Sequence, residues 1–262
     1  MEQFFQQLTN GLAVGGIYAL IALGYTMVYG VLKLINFAHG DLFTIGAYLG
    51  LTLLTTMGLA DRLGPLGAVL LLAVMVMGLV GVIGALLERI AYRPLRESPR
   101  LSAVVSALGA SIFFQNTVML IYGARFRVYP HDILPKVAVN IFGLQIPLIR
   151  ILMLLTSVLL MVALYLFIQR TKIGTAIRAA AIDQGAARLM GIDVDKVIMI
   201  VFLIGPSLGG AAGLMVGLYY GQINFTMGWI YGLKAFTAAI LGGIGNIPGA
   251  MVGGILLGVI EA

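Results

Sequence analysis

The 262-residue chain contains no cysteine, which removes disulfides, thiolate metal sites and thiol redox chemistry. Charge is scarce as well. Asp, Glu, Lys and Arg make up 10% of residues, against about 25% in an ordinary soluble protein. So little polar surface cannot cover a water-exposed exterior. No pair of carboxylates, no nucleophile beside a base and no metal-ligand set appears, which argues against an enzyme. The GGIGN run at Gly242–Asn246 lacks the lysine and the preceding strand that a nucleotide loop requires.

What is present is apolar. Hydrophobic residues reach 61% before the 35 glycines are added, a glycine content about twice the usual one. Small residues let membrane helices approach closely and gain packing that lipid cannot supply. The composition defines an all-α polytopic integral membrane protein forming a single domain over residues 1–262. The net charge of +6 is spread over connecting segments, so it indicates topology and not nucleic acid. The N-terminal MEQFFQQLTN lacks the basic flank of a cleavable signal, so the first apolar run is expected to stay as an anchor. The final GGILLGVIEA stops within an apolar run, from which a truncated C-terminus is expected.

About 20 apolar residues cross the hydrocarbon layer. Spans are therefore predicted near Gly11–Val31, Asn36–Met57, Leu66–Leu87, Leu101–Tyr122, Leu148–Ile168 and Asp195–Tyr220. A further region, Tyr231–Ala262, is interrupted, giving about 7–8 segments in all. Lys and Arg are concentrated in RIAYRPLRESPR (Arg89, Arg93, Arg96, Arg100) and between Arg170 and Lys196, which places both on the cytoplasmic side. The extracytoplasmic loop is then about 123–147, with Arg125, Arg127 and Lys136. Gly58–Pro65 and the N-terminus also lie outside, and Lys33 lies inside. Within the outer loop, KVAVNIFGLQIP alternates at Val137, Val139 and Ile141 and turns near Gly143. This reads as a small hairpin, either a cap over the helices or a docking surface.

The cytoplasmic loop TKIGTAIRAAAIDQGAARLMGIDVDK, about 170–196, reads as two short helices. Ile173, Ile177 and Ala180 share one face, with Lys172 and Arg178 pointing away. Asp183 can cap a very short second helix, Gly191 can end it and Asp193 can cap the next span. So short a helix persists only when packed. Leu189 and Met190 offer an apolar surface, either to the protein's own helices or to a cytoplasmic partner.

Polar residues inside apolar segments are few. In INFAHGDLFTIGAYLG, Asn36 can cap the second span and Asp41 a restart after Gly40. His39 would lie about one turn into that span, where Gly40 lets the helix bend beside the path. Asn36, His39 and Asp41 are therefore candidates to line the path, with His39 and Asp41 alternatively holding the cytoplasmic gate together. A proton relay is disfavoured, because no second buried ionisable group accompanies His39. Gln115 and Asn116 could line a path or bond a neighbouring helix. Lys234 is expected to snorkel, and the Phe residues and Trp229 to serve as core or interface anchors. At Leu241–Ala250, Gly242, Gly243, Gly245, Asn246 and Pro248 break the last segment. This reads either as a solute site at half-helix ends or as a glycine-lined helix crossing.

The loop resembles the coupling motif of bacterial ABC-importer permeases, E-A-A, three residues, glycine, nine residues, I-x-L-P. Ala186, Ala187 and Gly191 match and Val201 and Leu203 fall on the later apolar positions, while Gly185 stands for the glutamate and Ile204 for the proline, with Pro206 two residues on. NGLAVGGIYALIALGYTMVYGVLKLINFAHGDLFTIGAYLG, ERIAYRPLR, RAAAIDQGAARLMGIDVDKV and AAILGGIGNIPGAMVGGILLG extend the resemblance from Asn10 to Ala262, to the branched-chain amino acid permease family. That resemblance implies an import complex in the bacterial inner membrane. Two homologous permeases would pair, and an extracytoplasmic amino-acid-binding protein would deliver leucine, isoleucine or valine. Two cytoplasmic ATPases carrying ATP and Mg would engage Asp183, Gly185, Ala186, Ala187, Arg188, Leu189, Met190 and Gly191. No cofactor on this chain is implied. Relatives of the family carry urea or short amides, so those substrates remain an alternative. An ion-coupled secondary transporter would need buried ionisable residues beyond His39 and Asp41.

Overall fold

The structure is a computed structural model that describes residues 2–57, 59–96, 98–130, 138–141 and 144–262. Ten α-helices are described: α1 (Glu2–Leu32), α2 (His39–Met57), α3 (Leu59–Leu87), α4 (Arg100–Tyr122), α5 (Leu148–Arg170), α6 (Lys172–Ile182), α7 (Gln184–Leu189), α8 (Val194–Tyr220), α9 (Met227–Leu241) and α10 (Ile247–Glu261). Five of the described helices are long and apolar enough to cross a membrane. The 15-residue α9 and α10 are each about 22 Å long at 1.5 Å per residue, short of the hydrocarbon layer. The chain is an all-α, multi-pass membrane protein.

Helix α8 is the central post. It packs on α1, α2 and α3 and is buried along most of its length. The glycines make these contacts close. A Cβ on Gly210 would lie 2.9 Å from Val80 of α3, and one on Gly213 would lie 2.9 Å from the Ala47 amide of α2. Pro206 cannot donate to the Phe202 carbonyl one turn back. Gly84 of α3 packs against that carbonyl and the proline ring. Around this core, α3, α4 and α5 turn Val74, Val82, Ile112, Leu120, Leu155 and Leu159 outward, an apolar surface that suits lipid.

Each predicted span up to the last region lies on a helix, but α1 starts at Glu2 and not Gly11, and α3 at Leu59 and not Leu66, so that helix takes in most of the expected Gly58–Pro65 connection. Two further differences concern the path of the chain. The second span does not begin at Asn36. Lys33 adopts a left-handed φ of 55°, and the Asn36 side chain accepts the Ala38 amide at 3.1 Å. The chain therefore turns through 33–38, and α2 starts at His39. The last region divides at Gly242–Asn246 into α9 and α10.

The outer hairpin is β2 (Ala138–Ile141) paired antiparallel with β3 (Leu144–Pro147), in the register Val139↔Ile146 and Asn140↔Gln145. Lys136, Val137 and Gly143 lie outside the described residues, as does Gly58 of the Gly58–Pro65 connection. A second pairing had no signal in the sequence. Here β1 (Arg127–Val128) joins β4 (Gln222–Ile223) antiparallel, and Tyr129 beside it buries its hydroxyl on the Ala47 carbonyl.

Candidate functional site

Three places collect the polar residues. The first is the loop between α5 and α8. Thr171 caps α6 by accepting the Gly174 amide at 2.9 Å. Gly174, Ile177 and Ala180 form the buried stripe of α6, whereas Ile173 is exposed. This corrects the expected face, because Gly174 lies against the Phe167 and Ile168 carbonyls where no Cβ fits.

Asp183 ends α6 and caps α7, accepting the Gly185 and Ala186 amides at 2.7 and 3.0 Å. Gly191, at φ 81°, closes α7 with its amide on the Arg188 carbonyl, and Ile192 donates to the Ala187 carbonyl. A left-handed residue is required at that stop. Two anchors hold this two-turn helix. Ala187 is buried, and the Gln184 amide donates to the Val31 carbonyl of α1 at 2.8 Å. Leu189 and Met190 are 90% and 82% exposed, so they do not tuck against the protein's own helices.

Beside α7 lies a cleft of about 990 Å³, lined by Tyr92, Arg93, Arg96, Gln184, Arg188 and Asp195 among others. Arg96 bridges the buried Glu88 and Asp195, and Arg93 also reaches Asp195 at 3.1 Å. This network ties the end of α3 to the start of α8. At that start, the Asp193 side chain accepts the Lys196 amide at 3.1 Å and pairs with the Lys196 ammonium at 3.0 Å. Those contacts hold the Asp193 carboxyl below the usual carboxylate range.

The second place is the Asn36–His39–Asp41 cluster, and it sits deeper than one turn into a span. Gly24 and Gly209 pack against the His39 ring, and Gly209 lies midway along the 27-residue α8. His39 is fully buried, edge-on to Tyr25 with ring centroids 4.7 Å apart. Among the described residues, neither ring nitrogen has a hydrogen-bond partner. Asp41 does not cap a restart, because α2 is continuous through Gly40. It instead accepts a hydrogen bond from Ser111 of α4. Gly40 is not a kink but a close crossing with Gly228 and Gly232 of α9. Asn36 accepts a second hydrogen bond, from the Tyr92 hydroxyl at 2.9 Å.

Ser111 and Tyr92 escaped the sequence reading. Ser111 was within reach, since Ala103, Ala107 and Ser111 recur at helical spacing as the buried stripe of α4. Gln115 and Asn116 do not join this cluster. Gln115 is half-buried, and Asn116 lies on the exposed side of α4, its amide returned to the Ile112 carbonyl at 2.7 Å.

The third place is the break between α9 and α10. Gly243 and Gly245 take φ of 86° and 94°. Asn246 caps α10, with the Gly249 amide donating to it at 3.5 Å, and Pro248 sits in the first turn, where no amide is needed. Gly242 packs directly against Gly249, and a Cβ on Gly245 would lie 3.9 Å from Gly30 near the end of α1. The turn therefore sits at the α7 end of the bundle, away from His39. Lys234 forms an ion pair with Glu261 and stands 3.3 Å from the Tyr18 hydroxyl.

A multi-pass helical bundle carrying a short, capped helix on an end loop, with apolar residues presented outward, is the architecture of a transport permease subunit. A family profile described as the permease component of the branched-chain amino acid transport system matches residues 7–262, and the chain belongs to that family. It is 46% identical to the high-affinity branched-chain amino acid transport system permease protein BraD of Pseudomonas aeruginosa, over 99% of this chain and 85% of that protein. It is 43% identical to the corresponding LivH proteins of Salmonella typhimurium and Escherichia coli, over the same shares. No solved structure matches the chain.

Proposed function

We propose that this chain is the permease subunit of an inner-membrane ABC importer that moves leucine, isoleucine and valine into the cytoplasm. It would pair with a homologous permease, receive amino acid from an extracytoplasmic binding protein and take its drive from two ATPase subunits that hold ATP and Mg. The observation that carries the proposal is α7. A helix this short does not hold its shape in water unaided, yet both of its ends are capped and its two bulky apolar residues face outward. Such a knob suits a groove on a partner, and Arg188 and the adjoining cleft supply polar contacts around it. The names of the similar proteins support the substrate class.

The test is uptake of radiolabelled leucine by the complex reconstituted in proteoliposomes with its binding protein, with urea as the competing substrate. ATP-dependent leucine uptake is expected. Uptake that persists without ATP hydrolysis but collapses with the proton gradient would overturn the proposal. The loop is tested by Gly191→Val. A β-branched residue at positive φ is strongly disfavoured, so ATP hydrolysis should no longer drive uptake although the chain inserts. Normal uptake by this variant would remove α7 from the coupling role.

A further inference from the structure

Asp41 is buried, with 5% of its surface exposed. Among the described residues its carboxylate has one side-chain hydrogen bond, from the Ser111 hydroxyl of α4, and no Lys, Arg or His forms an ion pair with it. Its place in the bundle makes that a problem. Asp41 lies two residues beyond His39, whose ring rests against Gly209 midway along α8. Acidic groups inside a membrane bundle are costly, and they face protein or water and are paired. Here the fold supplies the anion and one hydroxyl, but no cation.

Asp41 borders a recess of about 20 Å³ whose walls include Tyr25, Phe37, Trp229 and Phe236, with Gly228 and Gly232 of α9. The Tyr25 and Phe236 ring centroids are 5.8 Å apart. A Cβ on Gly232 would stand 3.1 Å from the Tyr25 hydroxyl, so the bare backbone there leaves room beside that hydroxyl. A space of this size holds about one water-sized group. An ammonium group fits, and an aliphatic side chain does not. Aromatic faces attract ammonium cations, and a carboxylate adds a charge-assisted hydrogen bond. Calcium or magnesium takes six or more oxygen ligands. One carboxylate among rings does not offer them, and the recess has no room for the waters that would make up the number.

We propose that Asp41 and the aromatic residues around it form the subsite that takes the α-ammonium group of the amino acid in passage, the rest of the substrate staying outside the recess. This inference rests on the amino acid importer reading above. It gives the permease itself a means of telling an amino acid from urea, which offers no cation. Helix α9 crosses α2 backbone to backbone, Gly228 lying on Gly40, so a shift of α9 widens the recess without repacking side chains at that crossing. A carboxylate kept only to hold α2 to α4 would behave differently. Asp41→Asn retains an oxygen for the Ser111 hydroxyl and removes the charge, so a purely structural role survives the exchange and an ammonium site does not.

The experiment follows thermal unfolding of the purified complex, without its binding protein and in sodium-free buffer, as three probes are added. They are leucine, isoamylamine (the ammonium without the carboxylate) and isocaproate (the carboxylate without the ammonium). Leucine and isoamylamine are expected to raise the Tm, and isocaproate to leave it unchanged. In Asp41→Asn the half-saturating leucine concentration is expected to rise about thirtyfold or more, the loss typical of removing one charge from a buried pair. The analogue comparison uses the wild-type complex alone, so it decides the question even where the variant fails to assemble. Stabilisation by isocaproate equal to that by leucine, no stabilisation by isoamylamine, or an unchanged leucine response in an assembled Asp41→Asn complex would each overturn the proposal. A shift produced by sodium chloride in place of the amine would assign the recess to an inorganic ion and equally end it. Failure of the importer reading shows separately, as a wild-type complex with no ATP-dependent leucine uptake.

Discussion

Ser111 and Asn116 stand on the same helix, yet they differ in what depends on them. Ser111 is buried and donates to Asp41, so its removal leaves a buried carboxylate oxygen without that partner. The amide of Asn116 is returned to its own helix on the exposed side. Ser111→Ala should therefore lower the stability of the detergent-purified chain by about 1–3 kcal/mol. Asn116→Ala should stay within about 0.5 kcal/mol, both read from thermal unfolding. Equal effects would mean that the Asp41–Ser111 bond contributes nothing. At this scale the sequence was legible where a residue's role is local. Asp183, Gly191 and Asp193 take the capping and stopping positions their types prefer. It was not legible where the role depends on a distant partner. Asp41 finds Ser111, Asn36 finds Tyr92 and Lys234 finds Glu261 only after antiparallel or crossing helices bring them together, and no periodicity along one segment reports that.

Between elements, few contacts hold the proposed coupling helix in place. Helix α7 depends on Asp183 at one end, Gly191 at the other, and Ala187 and Gln184 beneath. The next junction depends on Asp193, whose carboxyl the Lys196 amide and ammonium hold below its usual range. A depressed carboxylate contributes its stabilisation fully above the unfolded-state value of about 3.9, and loses it as pH falls through the lower folded value. Amide-exchange protection at the start of α8 should accordingly be flat at neutral pH and fall on acidification below the ordinary carboxylate range. Asp193→Asn should remove that pH dependence. Protection in the parent that rises on acidification would contradict the capping assignment. The two loop helices could be read in advance because capping is local chemistry. Ile173 misled the reading of α6, since apolar spacing took no account of Gly174, which must lie inward to clear two carbonyls of α5. The β1–β4 pairing was hidden for a different reason. Each strand is two residues long, and its residues pair with partners 94 and 96 positions away in the chain.

For the whole molecule, the lack of cysteine, which first narrowed the chemistry, becomes an experimental advantage. The bundle's direction was inferred from Lys and Arg alone, and the structure ties α7 to one end and the β1–β4 pairing to the other through α8, which joins them. Any label that fixes the side of α7 therefore fixes the side of every connection. A single cysteine introduced into this background reports its own position with no native thiol competing. Leu189→Cys, at the most exposed apolar position of the loop, should react with a membrane-impermeant maleimide only in inside-out vesicles. Arg125→Cys, exposed beyond the other end of α4, should react in intact spheroplasts. The opposite pattern would turn the molecule over and place α7 where no ATPase can reach it. That outcome would defeat the coupling assignment regardless of the loop's geometry, because a helix docks into a cytoplasmic partner only from the cytoplasmic side.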